Sequence, residues 1–249
     1  MTTDPQTPAE IKNNTVDWVT LVAKSILGAF PIVGPLLVEL AGTIIPNQRI
    51  DRIAKFAANL EERFKCLEHD TIRSALKNEE FTDLLEEALR QAARSTTDER
   101  RGYLASVVAN SLSQDAIEYA EAKHLLRILE ELNDIEVIWL RFYQIFTAGG
   151  DDDFRHKHEE VLKPKFAGIG SPTDQLDKAA LQESYRKHLI NLGLITGVAS
   201  MDSDGKPEFD SMSGDLRISY YHTSLLGNLL LRTIGLSDSV QERGEKTEL

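Results

Sequence analysis

The sequence predicts a mainly α-helical protein, a helical bundle or array followed by a C-terminal winged-helix-like unit with a small β-hairpin. Two patterns carry this. From about residue 47 to 147, apolar residues recur at spacings of three and four, which places them on one face of successive helices. Near the C-terminus that period gives way to the order helix, glycine, strand, polar loop, strand, helix.

Residues 1–15 are polar, with Asp4, Pro5 and Pro8, and read as a disordered lead. Residues 16–45 are almost wholly apolar, with only Asp17, Lys24 and Glu39 charged. Pro31, Gly34 and Pro35 interrupt the run, and proline removes a helical amide donor, so two short helices with a bend at 30–34 are expected. The two halves are each about half of the roughly 20 residues that a membrane span needs. Burial of this hairpin in the bundle is favoured over membrane action, because a short apolar run is most often core. Its candidate membrane or partner contacts are Trp18, Leu21, Ile26, Leu27, Phe30, Ile32, Val33, Leu36, Leu37, Leu40 and Ile44.

The helical domain is assigned to 16–148, this hairpin included. After Asn47, one face carries Ile50, Ile53, Phe56, Ala57, Leu60, Phe64 and Leu67. Asp70 can cap a short helix, and Phe81, Leu84, Leu85, Ala88, Leu89 and Ala92 mark the next. The run Ser95-Thr96-Thr97-Asp98-Glu99 is a start signal, with hydroxyls for the cap and acids at the positive helix end. Helices over 115–132 and after Asn133-Asp134 complete the array. Residues 149–173 are rich in charge, Gly and Pro and read as a linker or long loop. The winged-helix-like unit is 174–236. Asp174 caps its first helix, Gly193 ends it, strands fall at 194–198 and 216–222, and Thr223 caps the last helix. A polar tail fills 237–249.

The 249 residues carry a formal net charge of −12. Residues 1–150 hold 16 basic and 23 acidic side chains, a net −7, and residues 151–249 hold 12 and 17, a net −5. Nucleic-acid binding draws on clustered Lys and Arg, so this balance disfavours it. Cys66 stands alone and cannot form an internal disulfide. With no secretory signal, this fits a cytoplasmic protein, open to membrane association through 16–45.

No catalytic, cofactor or metal site is assigned. The block from Asp151 to Glu160 lacks strong metal-ligand spacing and reads as a solvated loop. Cys66 reads as a core or half-buried thiol, since nothing nearby supplies the donors that thiol catalysis needs. Adjacent acids such as Glu61-Glu62 diverge around a helix and read as solvated faces. In the winged-helix-like unit, Gln182, Arg186, Lys187, His188 and Asn191 are the residues that could face a base edge or a partner. The loop beyond carries Asp202, Asp204, Glu208, Asp210 and Asp215 against Lys206, the wrong sign for a phosphate backbone. A structural or protein-binding role is therefore favoured over DNA reading.

Four stretches carry a family resemblance: Gly34 to Gly42 running into the Arg49/Arg52 helix, Asp98 to Leu112, Leu125 to Asp134, and Tyr221 to Leu231. In this order they resemble the bacterial abortive-infection alpha family of phage-defence proteins. The resemblance implies a helical, defence-linked protein and no particular chemistry. The expectation is a non-enzymatic protein acting on a membrane or a protein partner, with homo-oligomerisation open. The rival is a regulatory or scaffold protein using the winged helix for protein or DNA binding.

Overall fold

The computed structural model describes residues 49–113, 117–145, 151–168, 170–211 and 214–236, together with Pro31 and Gly34. The candidate contact residues of the apolar hairpin, the lead and the tail lie outside the described residues. The described chain is mainly helical, with one two-stranded antiparallel sheet near the C-terminus. It divides into two compact units between Arg127 and Ile128.

In the first unit, α1 (Ile50–Phe64), α3 (Glu79–Arg94) and α4 (Asp98–Asn110) pack on one another, with the short α2 (His69–Ala75) between α1 and α3. The three-and-four spacing explains the packing. Ile53, Phe56, Leu60 and Phe64 of α1 meet Phe81, Leu84, Leu85 and Leu89 of α3 in a core where each is at most 1% exposed. Each such side chain contributes about 1.5–3 kcal/mol on burial. Helix ends follow local chemistry. The Asn78 side chain accepts from Glu80 N and Phe81 N at the start of α3, and Thr97 Oγ1 accepts from Arg100 N at the start of α4. Asp70 does not cap α2; the helix starts one residue earlier, at His69, and Asp70 sits in its first turn. In α5 (Tyr119–Glu131), the Leu126 carbonyl accepts from Gln91 Nε2 at 3.1 Å.

The second unit is organised around α6 (Asp134–Gln144). Asn133 opens it with a capping box, its side chain accepting from Glu136 N while the Glu136 carboxylate accepts from Asn133 N. Against α6 pack the helix α9 (Thr173–Asn191), the strand β2 (Ile218–Thr223) and the helix α10 (Leu225–Thr233). The interval 149–173, expected as a linker or loop, holds α7 (Asp152–Lys157) and α8 (Glu159–Leu162). Leu162 is buried and α8 packs on α6, so the interval carries packed structure despite its polar composition. α6 falls in the second of the two compact units, with the C-terminal elements.

α9 begins at Thr173 after Pro172 with no side-chain cap, so Asp174 lies inside the first turn. It ends as the glycine predicts. Gly193 has φ +70°, and Leu194 N reaches back to Leu189 O at 3.0 Å, with both leucines buried. β1 (Ile195–Ala199) then pairs with β2, Ile195 opposite Thr223 and Val198 opposite Tyr220, with an irregularity after Val198. Thr223 ends β2, and Ser224 is the cap of α10, its Oγ accepting from Gly227 N.

The polar loop between the strands is more ordered than its composition suggests. Met201 bridges to Pro207 and Phe209 to Leu216, both antiparallel. Ser200, Glu208 and Arg217 close a ring of backbone hydrogen bonds: Ser200 N to Arg217 O at 2.8 Å, Arg217 N to Glu208 O and Glu208 N to Ser200 O at 2.9 Å. Residues 206–210 are thus folded in between the diverging ends of β1 and β2, and form a wing.

Candidate functional site

The residues singled out on α9 share one helix, but three of the five are committed to internal contacts. Gln182 clamps the preceding strap: its Oε1 accepts from Lys165 N at 2.9 Å and its Nε2 donates to Lys163 O at 3.1 Å. The Arg186 guanidinium pairs with Glu183 and lies 5.3 Å from the centre of the Tyr221 ring on β2. Tyr221 in turn packs edge-on against Tyr143 of α6, ring centres 6.1 Å apart. Burial raises the Tyr143 phenol above its ordinary value, against the pull of the neighbouring Arg186 charge.

His188 Nδ1 meets Glu136 Oε1 at 2.7 Å, and Glu136 is buried. The same carboxylate therefore serves the capping box of α6 with one oxygen and the imidazole with the other. Lys187 and Asn191 remain exposed, although Lys187 has Glu183 within 3.8 Å. Together with Ala180, Glu183, Ser184 and His188 they line an open groove of about 550 Å3 along one face of α9. This helix buries only Leu189 fully; Leu176, Leu181 and Ile190 are exposed.

Beyond α9 the wing divides its side chains between two faces. Ser200 Oγ donates to Glu208 Oε2 at 2.7 Å, and Arg217 Nη1 lies 3.6 Å from the same oxygen. Residues paired across an antiparallel bridge share a face, as do residues two apart on one strand. Met201, Pro207, Phe209 and Leu216 therefore share the face opposite Glu208. Met201 is 57% exposed, Phe209 63% and Leu216 42%. The sequence reading registered the acids of this loop but not its apolar face. The alternation of Pro207, Glu208 and Phe209 is the signal that could have found it.

The block from Asp151 onward is not the solvated loop expected. Arg141 on α6 holds Asp151 Oδ2 through Nε at 3.2 Å and Nη2 at 3.1 Å, and donates from Nη1 to Leu236 O at 2.8 Å. Its guanidinium also covers the Phe154 ring, 4.8 Å from the centre, and Phe154 packs on His158. Arg155 covers Phe142 and donates to Ile145 O at 2.6 Å. The block is a clasp that ties α7 and the end of α10 to α6. Among the described residues, no group of three or more His, Cys, Asp or Glu side chains is arranged to hold a metal ion. Cys66 is exposed, not core or half-buried as its helical neighbours suggested. It follows the last buried residue of α1, Phe64, where the chain turns away from the core.

The fold and site together define a mainly helical protein whose C-terminal unit has winged-helix-like element order, an inward-committed first helix and an acidic wing with an exposed apolar face. Neither protein-family models, nor curated proteins, nor solved structures yield a match to this chain. Among the described residues no helix is long and apolar enough to cross a membrane.

Proposed function

We propose that the protein acts without catalysis by binding a protein partner through its C-terminal unit, as a defence protein of the abortive-infection kind. The observation that carries the binding reading is the commitment of Gln182, Arg186 and His188 to Lys163 and Lys165, Glu183 and Tyr221, and Glu136. A DNA-reading helix would need such side chains free to meet base edges. The acids of the wing add a field that repels phosphate. The defence part rests on the sequence resemblance, and the apolar segment 16–45 supplies the route by which a membrane would be involved.

Two experiments test this. The first is a salt-titrated binding assay with duplex DNA. The expected result is no specific binding, and tight binding that falls steeply with salt would overturn the protein-binding reading. The second compares phage plating and host survival with and without expression of the full chain in a bacterial host. Protection, or host death on infection, is expected. Unchanged plating and survival across a broad phage panel would remove the defence assignment.

A further inference from the structure

The contact that seats α9 on α6 uses only one nitrogen of the His188 ring. Nδ1 lies 2.7 Å from Glu136 Oε1, and Glu136 is 4% exposed. An ionised carboxylate only accepts hydrogen bonds, so Nδ1 carries the proton and the lone pair of the neutral ring sits on Nε2. The carboxylate is held in place, because Asn133 N donates to its other oxygen at 2.8 Å. Nε2 has no hydrogen-bond partner among the described residues, and it is not sealed from solvent, in an imidazole 35% exposed.

His188 opens onto the groove of α9, with the small residues Ser184 and Ala180 about one and two turns before it. Helical side chains lean toward the N-terminus of their helix, so the imidazole reaches over these residues and leaves room for a further group. Lys187 brings a cation to the same groove. Glu183, the acid there, pairs with Arg186 and lies 3.8 Å from Lys187. The buried carboxylate stabilises the positive charge that the ring acquires as Nε2 forms a bond. The Lys187 ammonium suits the oxygens of a phosphoryl group.

We propose that His188 Nε2 is a phosphoryl-acceptor site, a place of covalent modification on α9. The donor class is an acyl phosphate or a phosphoramidate. Nε2 forms the bond to phosphorus, the bond from phosphorus to the donor's carboxylate oxygen or nitrogen breaks, and the leaving carboxylate or ammonia takes that electron pair. Nδ1 keeps its proton, so the phosphorylated ring is cationic and pairs with Glu136, and no other proton moves. The modification goes beyond the binding reading and stands without it. It would add a dianion to the face that carries Lys187 and Asn191.

Two further histidines are internal controls. His156 is 90% exposed, but its Nδ1 lies 4.0 Å from the Glu159 carboxylate. His222 is exposed, and its Nδ1 lies 2.9 Å from the uncharged Thr223 carbonyl. Accessibility alone favours His156, and a fixed tautomer without a charge behind it favours His222.

The test treats the full chain with potassium phosphoramidate and follows each histidine by mass spectrometry under alkaline conditions, which preserve phosphohistidine. His188 should be labelled ahead of His156 and His222, and phosphorus NMR should show the Nε2 isomer. Glu136→Gln should slow His188 labelling about tenfold or more, the scale on which a carboxylate behind an imidazole acts, and leave His222 unchanged. Lys187→Ala should also slow it, and circular dichroism melts confirm folding of both variants. Labelling of His188 no faster than that of His156, an unchanged rate in folded Glu136→Gln, or a phosphoryl group on Nδ1 would each overturn the proposal. If Glu136→Gln does not fold, the ranking of the three histidines and the isomer in the wild-type chain still decide.

Discussion

Glu136 and His188 are joined by a 2.7 Å contact between a buried carboxylate oxygen and Nδ1 of a half-exposed imidazole, fifty-two residues apart in sequence. The other Glu136 oxygen accepts from Asn133 N at 2.8 Å, so one side chain both starts α6 and fixes α9 upon it. Glu136→Ala removes both and should lower unfolding free energy by about 1–3 kcal/mol. Glu136→Gln can keep the capping box, since Gln serves at that position, and should cost less. Urea denaturation of the two variants, alone and combined with His188→Ala, measures the split. If His188→Ala adds its full cost in the Glu136→Ala background, the pair is not coupled.

Arg141 and Asp151 make the sharper case. Each side chain is only 13% exposed, and Asp151 adopts φ +62°, a left-handed conformation that a non-glycine residue accepts only when held there. Asp151→Ala leaves the guanidinium charge largely buried without the carboxylate that it holds at 3.1 Å. Breaking a buried pair in this way costs about 3–5 kcal/mol, and an alanine at positive φ adds strain. Asp151→Asn keeps the backbone preference and a hydrogen-bond acceptor and should cost clearly less. Denaturation followed by fluorescence in a Trp18→Phe background reads the change locally, because Trp139 packs on Phe142 and Tyr143 of the same helix.

These relationships show what was legible in the chain. The helices after Asn47 were readable because Ile53, Phe56, Leu60 and Phe64 obey a local period, and caps at Asn78, Thr97 and Asn133 are local too. The helix, hairpin, helix order near the C-terminus followed from Gly193 and the switch of period. The clasp was not legible, because Asp151 becomes structural through Arg141 across the end of α6, and Arg141 in turn donates to the distant Leu236 carbonyl, pairings that no helical period reports. For the same reason Gln182, Arg186 and His188 looked like free polar residues on a helix. Only the fold brings Lys163, Tyr221 and Glu136 to them. Exposure of Cys66 was missed because it falls where a helix has just ended, beyond the reach of the period argument.

Asp98 gives the first unit a small acid-sensitive contribution. Hydrogen bonds from Arg101 and from Lys55, with the charges of both, hold its carboxyl below the ordinary value of 3.8. A carboxylate whose folded value is depressed contributes stability above its unfolded value and loses that contribution as pH falls through the folded value. The wild-type chain should therefore exceed Asp98→Asn in stability above about pH 4, and the gap should close as pH falls further. Melting temperatures across the acid range read this directly. A gap of constant size down to full protonation would show that the Asp98 charge is not responsible.

Gly102 and Gly227 both lie in helices, and the same substitution should act on them with opposite sign. A Cβ at Gly102 in α4 would meet nothing within 4 Å. There alanine removes unfolded-chain entropy and improves helix propensity, so Gly102→Ala should stabilise by about 0.5–1 kcal/mol. A Cβ at Gly227 in α10 would fall within 3 Å of Thr223 Cγ2, at 2.8 Å, and closer still to the Leu194 carbonyl oxygen. That carbonyl accepts from Ser224 N at 2.9 Å and sits just after the glycine turn that ends α9. It is backbone fixed at both ends and has little room to give. The propensity gain at Gly227 is at most about 1 kcal/mol. Overpacking costs typically 1–3 kcal/mol, with more expected when the obstacle is backbone. The steric term therefore wins, and Gly227→Ala should destabilise and separate α10 from the start of β1. Thermal melts of the two single variants test the pair. A stabilising Gly227→Ala would mean that α10 does not approach Leu194 as closely as the structure places it.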